Sequence, residues 1–583
     1  MSALNMIPEI WSLVFQFLAT RNDLRNVCSV CRLFDAIATP FLYRSLIFRD
    51  EPINGRHWSK FPDDEDVKTQ DEADDLSFGL LCRLLDDRND MLRVFVREII
   101  FEGELNDTRT VDRVWCKLQP PNDVLATLVN CLPNLEVIHF ERKLPITDRF
   151  VNALLSHKKS PKLHLLGEDG TTRVNIKMPF VQKLHTSVDT QARAPIDHPE
   201  TDRSGFHAWE PQRLALHELF NAFPNLEELS VSVNWLRGGC AMGGRPSPTR
   251  ILGLDLSEDA TFPPLKSLSL SGYPVQDDPV EDDEVALWRD RFPWDRLHSL
   301  SLGVQLPEST PGFLELATGK VANLKEFQIT SYDPLSSSAE LDAFLCSFDT
   351  LEILTAKGAV PSLTSVIHQS NLKHICLHTI EDPDRERETL DVEQIKDLSQ
   401  HCPKLTTLEI DLDPNGTWPD DIVSVIATGF KNLCRLSIHV GLGIAHVKND
   451  DSMEEKFARV LTESKAQDFA KRFFELRGPS VLEMITLKTG EKLRWFPQWH
   501  PRYADAEKHC AKIFEIYAPL EDNDEPRLNE LESDYARWMR GLEEGYSGFR
   551  SLNSKNHSNA DSKPQRLSRS PRVFKDPAFP LST

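Results

Sequence analysis

The sequence predicts an α/β protein in which a short helical module precedes a long, irregular solenoid of strand and helix units. Two patterns carry this prediction. Apolar residues recur with helical spacing between residues 7 and 41, and a Leu-x-x-Leu-x-Leu pattern returns at intervals between residues 135 and 438. A chain of 583 residues is long enough for a module and an extended repeat array.

The N-terminal module is predicted to contain three short amphipathic helices. Pro8 lies in the first turn of the first helix, where a missing N–H group is tolerated. Asn22 or Asp23 is placed as the N-cap of the second helix, and the third helix ends before Pro40 or shortly after it. The apolar stripes of the three helices are Ile7, Ile10, Trp11, Val14, Phe15 and Leu18; Leu24, Val27, Cys28 and Cys31; and Val30, Leu33, Phe34, Ile37 and Phe41.

These helices carry more apolar surface than a module of this size can bury by itself. Part of that surface therefore needs a partner, which is either another domain of this chain or another protein. The helical periodicity of the apolar residues does not separate the two interpretations. A three-helix core that packs only on the solenoid of the same chain would show the same stripes.

A strand and an acidic segment separate the helices from the solenoid. Residues 42–48 are rich in strand formers and complete the module, which we assign to residues 1–48. Residues 49–75 turn acidic and polar, which predicts a solvated loop.

The solenoid is assigned to residues 76–490. Each unit is expected to bury the leucines of a short strand against a helix, and because no unit closes its own core, the array must stack. The same join of helix to strand recurs as Cys-Leu-Pro-Asn-Leu at 131–135, as Ala-Phe-Pro-Asn-Leu at 222–226 and as His-Cys-Pro-Lys-Leu at 401–405. The copies of the pattern begin at Leu135, Leu226, Leu265, Leu297, Leu324, Leu351, Leu372, Leu405 and Leu433, with outer copies at Val181 and Leu482.

The strand positions between the leucines are the default recognition surface of such an array, because they line its concave side. Glu228, Ser230 and Glu409 are examples. The sequence does not indicate which of these positions bind a partner, so the binding residues of the array stay unassigned.

Two further segments follow the array. Residues 491–545 mix aromatic and charged side chains and are expected to cap the open end of the solenoid. Residues 546–583 are rich in Ser, Asn and Pro and are expected to be disordered.

The composition argues against several classes of protein. A formal net charge of −23 does not suit a general nucleic-acid or anionic-membrane binder, which needs clustered Lys and Arg. The sequence has no run of about 18 apolar residues to form a transmembrane helix, and its N-terminus lacks the basic start of a signal peptide. The 11 cysteines are odd in number and mostly lie in apolar segments, which favours a reduced protein of the cytoplasm or nucleus.

No group of catalytic or metal-binding residues stands out, and neither a metal nor another cofactor is expected. Cys28 and Cys31 have the spacing of a redox or zinc motif but lie on helix faces without a second pair. Gly238–Gly244 lacks the Gly-Lys-Ser/Thr of a phosphate-binding loop, and His401-Cys402 has no base near it in the sequence. An enzyme would require a nucleophile, a histidine and a carboxylate that converge in one cleft.

The segment Ile7–Phe48 resembles an F-box. Family members begin with a Leu-Pro-x-Glu-Ile motif, for which this chain has Ile7-Pro8-Glu9-Ile10, without a residue at the x position. They continue with Val-Cys-Arg-x-Trp, for which this chain has Val30-Cys31-Arg32-Leu33-Phe34. Ile7 in place of Leu and Phe34 in place of Trp keep the size and apolarity of the motif. The stretch Ala38–Leu46 is similar to the continuation common in fungal F-box proteins.

The resemblance implies a non-catalytic, substrate-recognition subunit of a cullin–RING ubiquitin ligase of the SCF type. It implies an N-terminal three-helix F-box followed by an irregular leucine-rich-repeat solenoid, a horseshoe. The F-box would dock on a Skp-type adaptor and, through it, on a cullin, while the repeats hold an unidentified protein substrate. The residues expected at the adaptor are Ile7, Pro8, Ile10, Trp11, Val14, Phe15, Leu18, Leu24, Val27, Cys28, Cys31 and Phe34.

An alternative stays open, in which the chain is a leucine-rich-repeat scaffold that acts outside any ubiquitin ligase. The two interpretations differ in whether the adaptor and the cullin bind together to this chain.

Overall fold

The computed structural model shows a mixed α/β chain built on one open sheet of 16 strands. The structure describes residues 8–18, 20–49, 83–85, 90–102, 121–140, 147–166, 177–189, 216–234, 261–271, 282–303, 310–330, 338–381, 387–412, 418–442, 461–478, 481–490, 511–518 and 526–532. The strands are β1 Ser45–Arg49, β2 Glu98–Glu102, β3 Val137–Phe140, β4 Lys162–Leu165, β5 Val181–Asp189, β6 Glu228–Asn234, β7 Ser267–Ser271, β8 Ser299–Gly303, β9 Glu326–Thr330, β10 Ile353–Lys357, β11 His374–His378, β12 Thr407–Asp411, β13 Arg435–Val440, β14 Met484–Thr489, β15 Ile513–Tyr517 and β16 Arg527–Leu531. The helices are α1 Pro8–Phe15, α2 Arg21–Val30, α3 Arg32–Leu42, α4 Asp90–Phe95, α5 Pro121–Cys131, α6 Asp148–Ser156, α7 Leu216–Ala222, α8 Asp282–Arg291, α9 Thr310–Ala317, α10 Ser338–Leu345, α11 Leu363–Ile367, α12 Val392–His401, α13 Asp420–Gly429 and α14 Glu463–Arg477.

The order of the strands in the sheet is their order in the chain. Strands β1 to β14 pair in parallel, whereas β15 is antiparallel to β14 and β16 is antiparallel to β15. Each strand therefore pairs only with its neighbours in sequence, which is the topology of a stack of repeated units. At this level, the prediction of a mixed α/β, solenoid-like chain is confirmed.

The leucine pattern sets the register of the sheet. Leu268 pairs with Leu300, which pairs with Phe327, and all three side chains are buried. The alternate residues Ser269 and Ser301 are only half-buried. The helices α5 to α14 share one continuous core with the leucine positions, so they cover one face of the sheet. We call the opposite face, formed by the strand residues that alternate with the core positions, the open face.

The repeat pattern predicts most of the strands but not all. The main copies fall on β3 and on β6 to β13, and the outer copies fall on β5 and β14. The copies that we assigned do not include β2 or β4. β2 carries the apolar spacing without a leucine, as Val96, Ile99 and Phe101, and all three side chains are buried. β4 keeps only Leu163 and Leu165, and backbone pairing with a strand on each side holds it extended.

Asparagine side chains connect successive units at the recurring helix–strand join. In each case the side-chain amide donates to a backbone carbonyl of the preceding unit, and the accepting residue lies 22 to 46 residues earlier. These hydrogen bonds account for the recurrence of the Asn-Leu pair at the join. At the join where Lys404 replaces asparagine, its Nζ instead donates to Oδ1 of Asn371 at 2.7 Å. The donors are Asn134, Asn225, Asn323, Asn371 and Asn432.

The N-terminal module has a small core of its own, separate from that of the sheet. Trp11, Phe15 and Phe34 form an aromatic cluster with ring centroids 4.6 to 5.7 Å apart. The N-cap of α2 is Thr20, whose hydroxyl accepts from the Asp23 backbone N–H at 3.1 Å. The expectation of Asn22 or Asp23 as the N-cap was therefore wrong. The helix begins earlier, and the Thr20 hydroxyl satisfies the backbone N–H of Asp23.

The helices and the sheet join between α3 and β1. Helix α3 continues through Pro40 and ends at Leu42. Strand β1 pairs in parallel with β2, so the helical part of the module ends at Leu42 and the next strand belongs to the sheet. The Arg21 side chain donates to the carbonyl of Ser45, which ties α2 to the start of that strand.

The antiparallel strands β15 and β16 lie in the segment 491–545 that was expected to cap the array. Most of the acidic segment 49–75, the Gly238–Gly244 loop and the tail 546–583 lie outside the described residues. Among the helices that the structure describes, none is both long enough and apolar enough to cross a membrane.

Candidate functional surfaces

The residues expected at the adaptor divide into two groups in the folded module. Pro8, Ile10 and Val14 are exposed, and Ile7 lies outside the described residues. Cys31 is half-buried between α2 and α3, where it is the N-cap residue of α3. The remaining members form the core of the module or pack against it: Trp11, Phe15, Leu18, Leu24, Val27, Cys28 and Phe34.

Large apolar side chains outside that core form an exposed surface on the module. Ile10, Leu13, Val14 and Phe17 are spaced as one face of α1 and the turn after it, and Phe17 is 86% exposed. Val30 and Leu33, 65% and 38% exposed, lie at the junction of α2 and α3. We call Ile10, Leu13, Val14, Phe17, Val30 and Leu33 the module apolar surface. Sequence reasoning did not place Leu13 or Phe17 at the partner, because neither belongs to the main stripe of α1.

Histidine–carboxylate pairs recur on the open face of the sheet. Each links two neighbouring strands, and His139, His185 and His439 each reach a carboxylate two residues before their register partner. The pairs are His139–Glu98 at 2.9 Å, His185–Glu228 at 3.1 Å, His378–Asp411 at 2.7 Å and His439–Glu409 at 2.6 Å. The available sequence signal was a polar residue between two core positions of a strand, which does not distinguish these histidines from any solvated residue.

Asp411 is the centre of a buried polar network at the ends of β11 to β13. Its carboxylate accepts from Nδ1 of His378 at 2.7 Å, from the backbone N–H of Thr379 at 2.6 Å and from Nη1 of Arg387 at 3.1 Å. The side chains of His378, Asp411 and Arg387 are each no more than 5% exposed. Arg387 also donates to the carbonyl of His439 at 3.0 Å, so one side chain ties the segment before α12 to two strands.

Glu409 is a second centre, beside the first. Its Oε1 lies 2.6 Å from Nε2 of His439, 2.9 Å from Nζ of Lys488 and 3.7 Å from Nζ of Lys357. Burial alone would raise the pKa of the Glu409 carboxyl. The hydrogen bond from His439 and the two ammonium groups outweigh burial and hold that pKa well below its usual range. Burial lowers the pKa of His439 to about 4, so its ring is neutral at neutral pH.

The geometry of the buried network does not fit a shared metal ion. His378, Asp411 and His439 each offer one ligand atom, and these atoms lie within 4.8 Å of one another. The two imidazole rings, however, are stacked, with centroids 3.7 Å apart and planes inclined by 19°. Their in-plane lone pairs run side by side and cannot converge on one ion. The Asp411 carboxylate already binds the Arg387 guanidinium, so it is not free to bind an ion. The network therefore has a structural role and links neighbouring strands.

The described cysteines near this network are not arranged as nucleophiles. Burial raises the pKa of the Cys376 thiol strongly, and the neighbouring Glu409 raises it further. Cys402 belongs to the core, and burial raises its pKa to about 11. The thiolate that nucleophilic catalysis needs is therefore disfavoured at both positions.

We expect the free energy of unfolding to fall as the pH is lowered from 6.5 towards 4. The pKa of His439 is lower in the folded chain than the ordinary 6.5. The unfolded chain therefore takes up the proton first, and the stability present above pH 6.5 is lost as the pH falls. A difference of this size corresponds to about 3 kcal/mol. The depressed pKa of Glu409 acts in the same direction at lower pH.

The His439→Gln variant tests this expectation, because its amide still offers a donor to Glu409 but does not titrate in this range. Urea unfolding between pH 4.5 and 7.5 should show a flatter pH dependence for the variant than for the wild type. Parallel curves for the two proteins would contradict the assignment to His439.

A scan against protein-family models finds no match to this chain. A search of curated proteins likewise finds no relative. The structure alone defines the class of this protein. It is an α/β chain with a solenoid-like sheet and a helical module that has an exposed apolar surface.

Proposed function

We propose that this chain is the substrate-recognition subunit of an SCF-type cullin–RING ubiquitin ligase. Its N-terminal module would act as an F-box that docks on a Skp-type adaptor, and its leucine-rich repeats would hold a protein substrate. The observation that carries the proposal is the module apolar surface, on a module whose sequence resembles an F-box. Catalysis would belong to the conjugating enzyme recruited by the cullin, with no catalytic residue supplied by this chain.

The chemistry of the module apolar surface supports docking on another protein. Contiguous apolar side chains on a helix face are typical of a helix that lies in a partner's groove. Phe17 is the best candidate for the central anchor, because a nearly fully exposed aromatic ring has the most area to bury. Trp11 and Phe15 would support the surface from below, since they form the aromatic core of the module.

The Leu13→Glu/Phe17→Glu variant is expected to lose adaptor binding while the module stays folded. Both side chains are exposed, so the charges can remain in water in the free protein. Docking would bury them, and each unpaired carboxylate would then be strongly unfavourable in the interface. Co-purification of adaptor and cullin with tagged chain should fall at least tenfold relative to wild type.

Leu155→Glu is the matched control, because Leu155 is 52% exposed on α6, far along the chain from the module. Its adaptor binding should equal that of the wild type. Substitution of Trp11 or Phe15 is a poor test, because it would remove the module core and confuse misfolding with lost contact. If the wild type binds neither adaptor nor cullin, the proposal fails. Adaptor without cullin would instead favour the scaffold that acts outside a ligase.

A further inference from the structure

His139 and His164 face each other on adjacent strands of the open face. They are paired in register between β3 and β4. Their Nδ1 atoms are 3.2 Å apart, and their rings are perpendicular, with an interplanar angle of 88° and centroids 4.5 Å apart. This arrangement contrasts with the stacked rings of His378 and His439.

Two neighbouring features orient this pair. Oε1 of Glu98 lies 2.9 Å from Nε2 of His139, so the carboxylate holds the proton on that nitrogen and leaves Nδ1 with its lone pair. A carboxylate behind the distal ring nitrogen is the usual support of a histidine that binds a metal ion. The register between β4 and β5 also shifts at Leu163/His164, and such bulges re-aim side chains beside binding sites.

We propose that His139 and His164 form a binding site for a divalent transition-metal ion of the class Cu²⁺, Ni²⁺ or Zn²⁺. The separation of the two Nδ1 atoms is close to the roughly 3.3 Å between two nitrogens that each lie about 2.05 Å from a tetrahedral ion. Perpendicular rings allow both lone pairs to point at one position. Water completes the coordination shell, since the protein supplies two imidazoles at this point.

Without the ion, a hydrogen bond between the two Nδ1 atoms satisfies the pair. Binding needs the Nδ1 proton of His164 to move to its Nε2, which changes the tautomer and releases no net proton.

Charged neighbours decide how tightly the ion is held. Lys162 and Lys183 lie near enough to His164 to disfavour a cation, whereas Glu228 favours one. Nζ of Lys183 is 2.6 Å from the Glu228 carboxylate, which offsets much of its charge. Two imidazoles in such surroundings select Cu²⁺ over Ni²⁺ and Zn²⁺, following the general order of affinity of divalent ions.

The test is a titration of the full chain with Cu²⁺, followed by calorimetry and by electron paramagnetic resonance. The wild type should bind one more Cu²⁺ than the His139→Gln/His164→Gln variant, with hyperfine splitting from two nitrogens. Glu98→Gln should keep the site but weaken it by about 10- to 100-fold, as expected for loss of an orienting carboxylate. His374→Gln is the matched control, because His374 lies on the open face of the distant strand β11, and its Cu²⁺ binding should equal that of the wild type.

Circular dichroism on each variant checks that the sheet is intact, and the single variant His164→Gln serves if the double variant does not fold. Equal Cu²⁺ stoichiometry and equal hyperfine splitting in the wild type and the His164→Gln variant would overturn the proposal. So would equal Cu²⁺ affinity of the wild type and Glu98→Gln. None of these measurements involves the adaptor, so they are independent of the proposed function.

Discussion

Replacing Asp411 with alanine is expected to destabilise the region β11 to β14 by about 3–5 kcal/mol. The change removes the carboxylate that accepts from His378, Thr379 and Arg387. The guanidinium of Arg387 stays buried and loses the Asp411 carboxylate at 3.1 Å. Removing one member of a buried ion pair is far more costly than truncating a side chain on the surface.

The measurement is hydrogen exchange, read strand by strand together with urea unfolding. Since each unit contacts only its neighbours, protection should fall in β12 and β13 and stay unchanged in β6 and β7. Asp411→Asn should cost less, because it keeps the shape and one acceptor.

A double-mutant cycle with Arg387→Met identifies the cause. If the cost comes from the Arg387 guanidinium that has lost the Asp411 carboxylate, Asp411→Ala/Arg387→Met should be more stable than Asp411→Ala alone. Additive losses in the double variant, or a loss below about 1 kcal/mol in Asp411→Ala, would show that the charge is solvated by other means.

Gln369→Leu is expected to destabilise the units around β10 and β11 by about 3 kcal/mol or more. Gln369 is fully buried. Its Oε1 accepts from the backbone N–H of Leu351, and its Nε2 donates to the carbonyls of Leu345 at 2.7 Å and Phe348 at 2.6 Å. Leucine has a similar volume but leaves all three backbone groups unsatisfied, at about 1–3 kcal/mol each.

The measurement is urea unfolding of Gln369→Leu and of Gln328→Leu. Gln328→Leu is the matched control, because Gln328 is exposed on the open face of β9. The Gln328 variant should unfold within about 0.5 kcal/mol of the wild type. Gln369→Glu is a second variant, because a carboxylate cannot donate to the two carbonyls at neutral pH. Its stability relative to the wild type should rise on acidification, and a difference from the wild type that does not depend on pH would contradict the donor role of Nε2.

The repeated strands could be predicted because their information is local. A leucine at each core position, preceded by the same join, marks a strand wherever it occurs, and the register of β7, β8 and β9 follows that pattern. β2 has the same spacing in other apolar residues, Val96, Ile99 and Phe101, which a search for leucines passes over. β4 could not be predicted in this way, because its extended conformation depends on partners that lie elsewhere in the sequence.

The module shows a different limit of sequence reasoning. Helical periodicity identified the three helices but treated each stripe as one surface. Packing of the helices divides the first stripe, so that Trp11 faces the core while Val14 is exposed. Phe17, outside the stripe, is the most exposed large apolar residue among those the structure describes in the module. Which side of a stripe faces inward depends on the arrangement of all three helices, which periodicity does not contain.

The polar sites of the open face could not be predicted from spacing. His378 and Asp411 are 33 residues apart, and Glu409 and His439 are 30 residues apart. They meet because parallel strands of successive units lie side by side at matched register. Gln369 likewise carries no mark in the sequence, since an amide in a helix–strand connection is usually solvated.

A sheet whose strand order follows the chain can be built as the chain leaves the ribosome. Synthesis at about 5–20 residues per second delivers each new strand within seconds of its neighbour. During that time the nascent protein always presents an unpaired parallel edge, which is a template for other chains. Among the strands that the structure describes, the two antiparallel ones come last, and the outer one bears the exposed charges of Arg527 and Glu530. A chain that ends after β14 would therefore fold but leave the edge of β14 unpaired. Aggregation would be the main consequence of such a truncation.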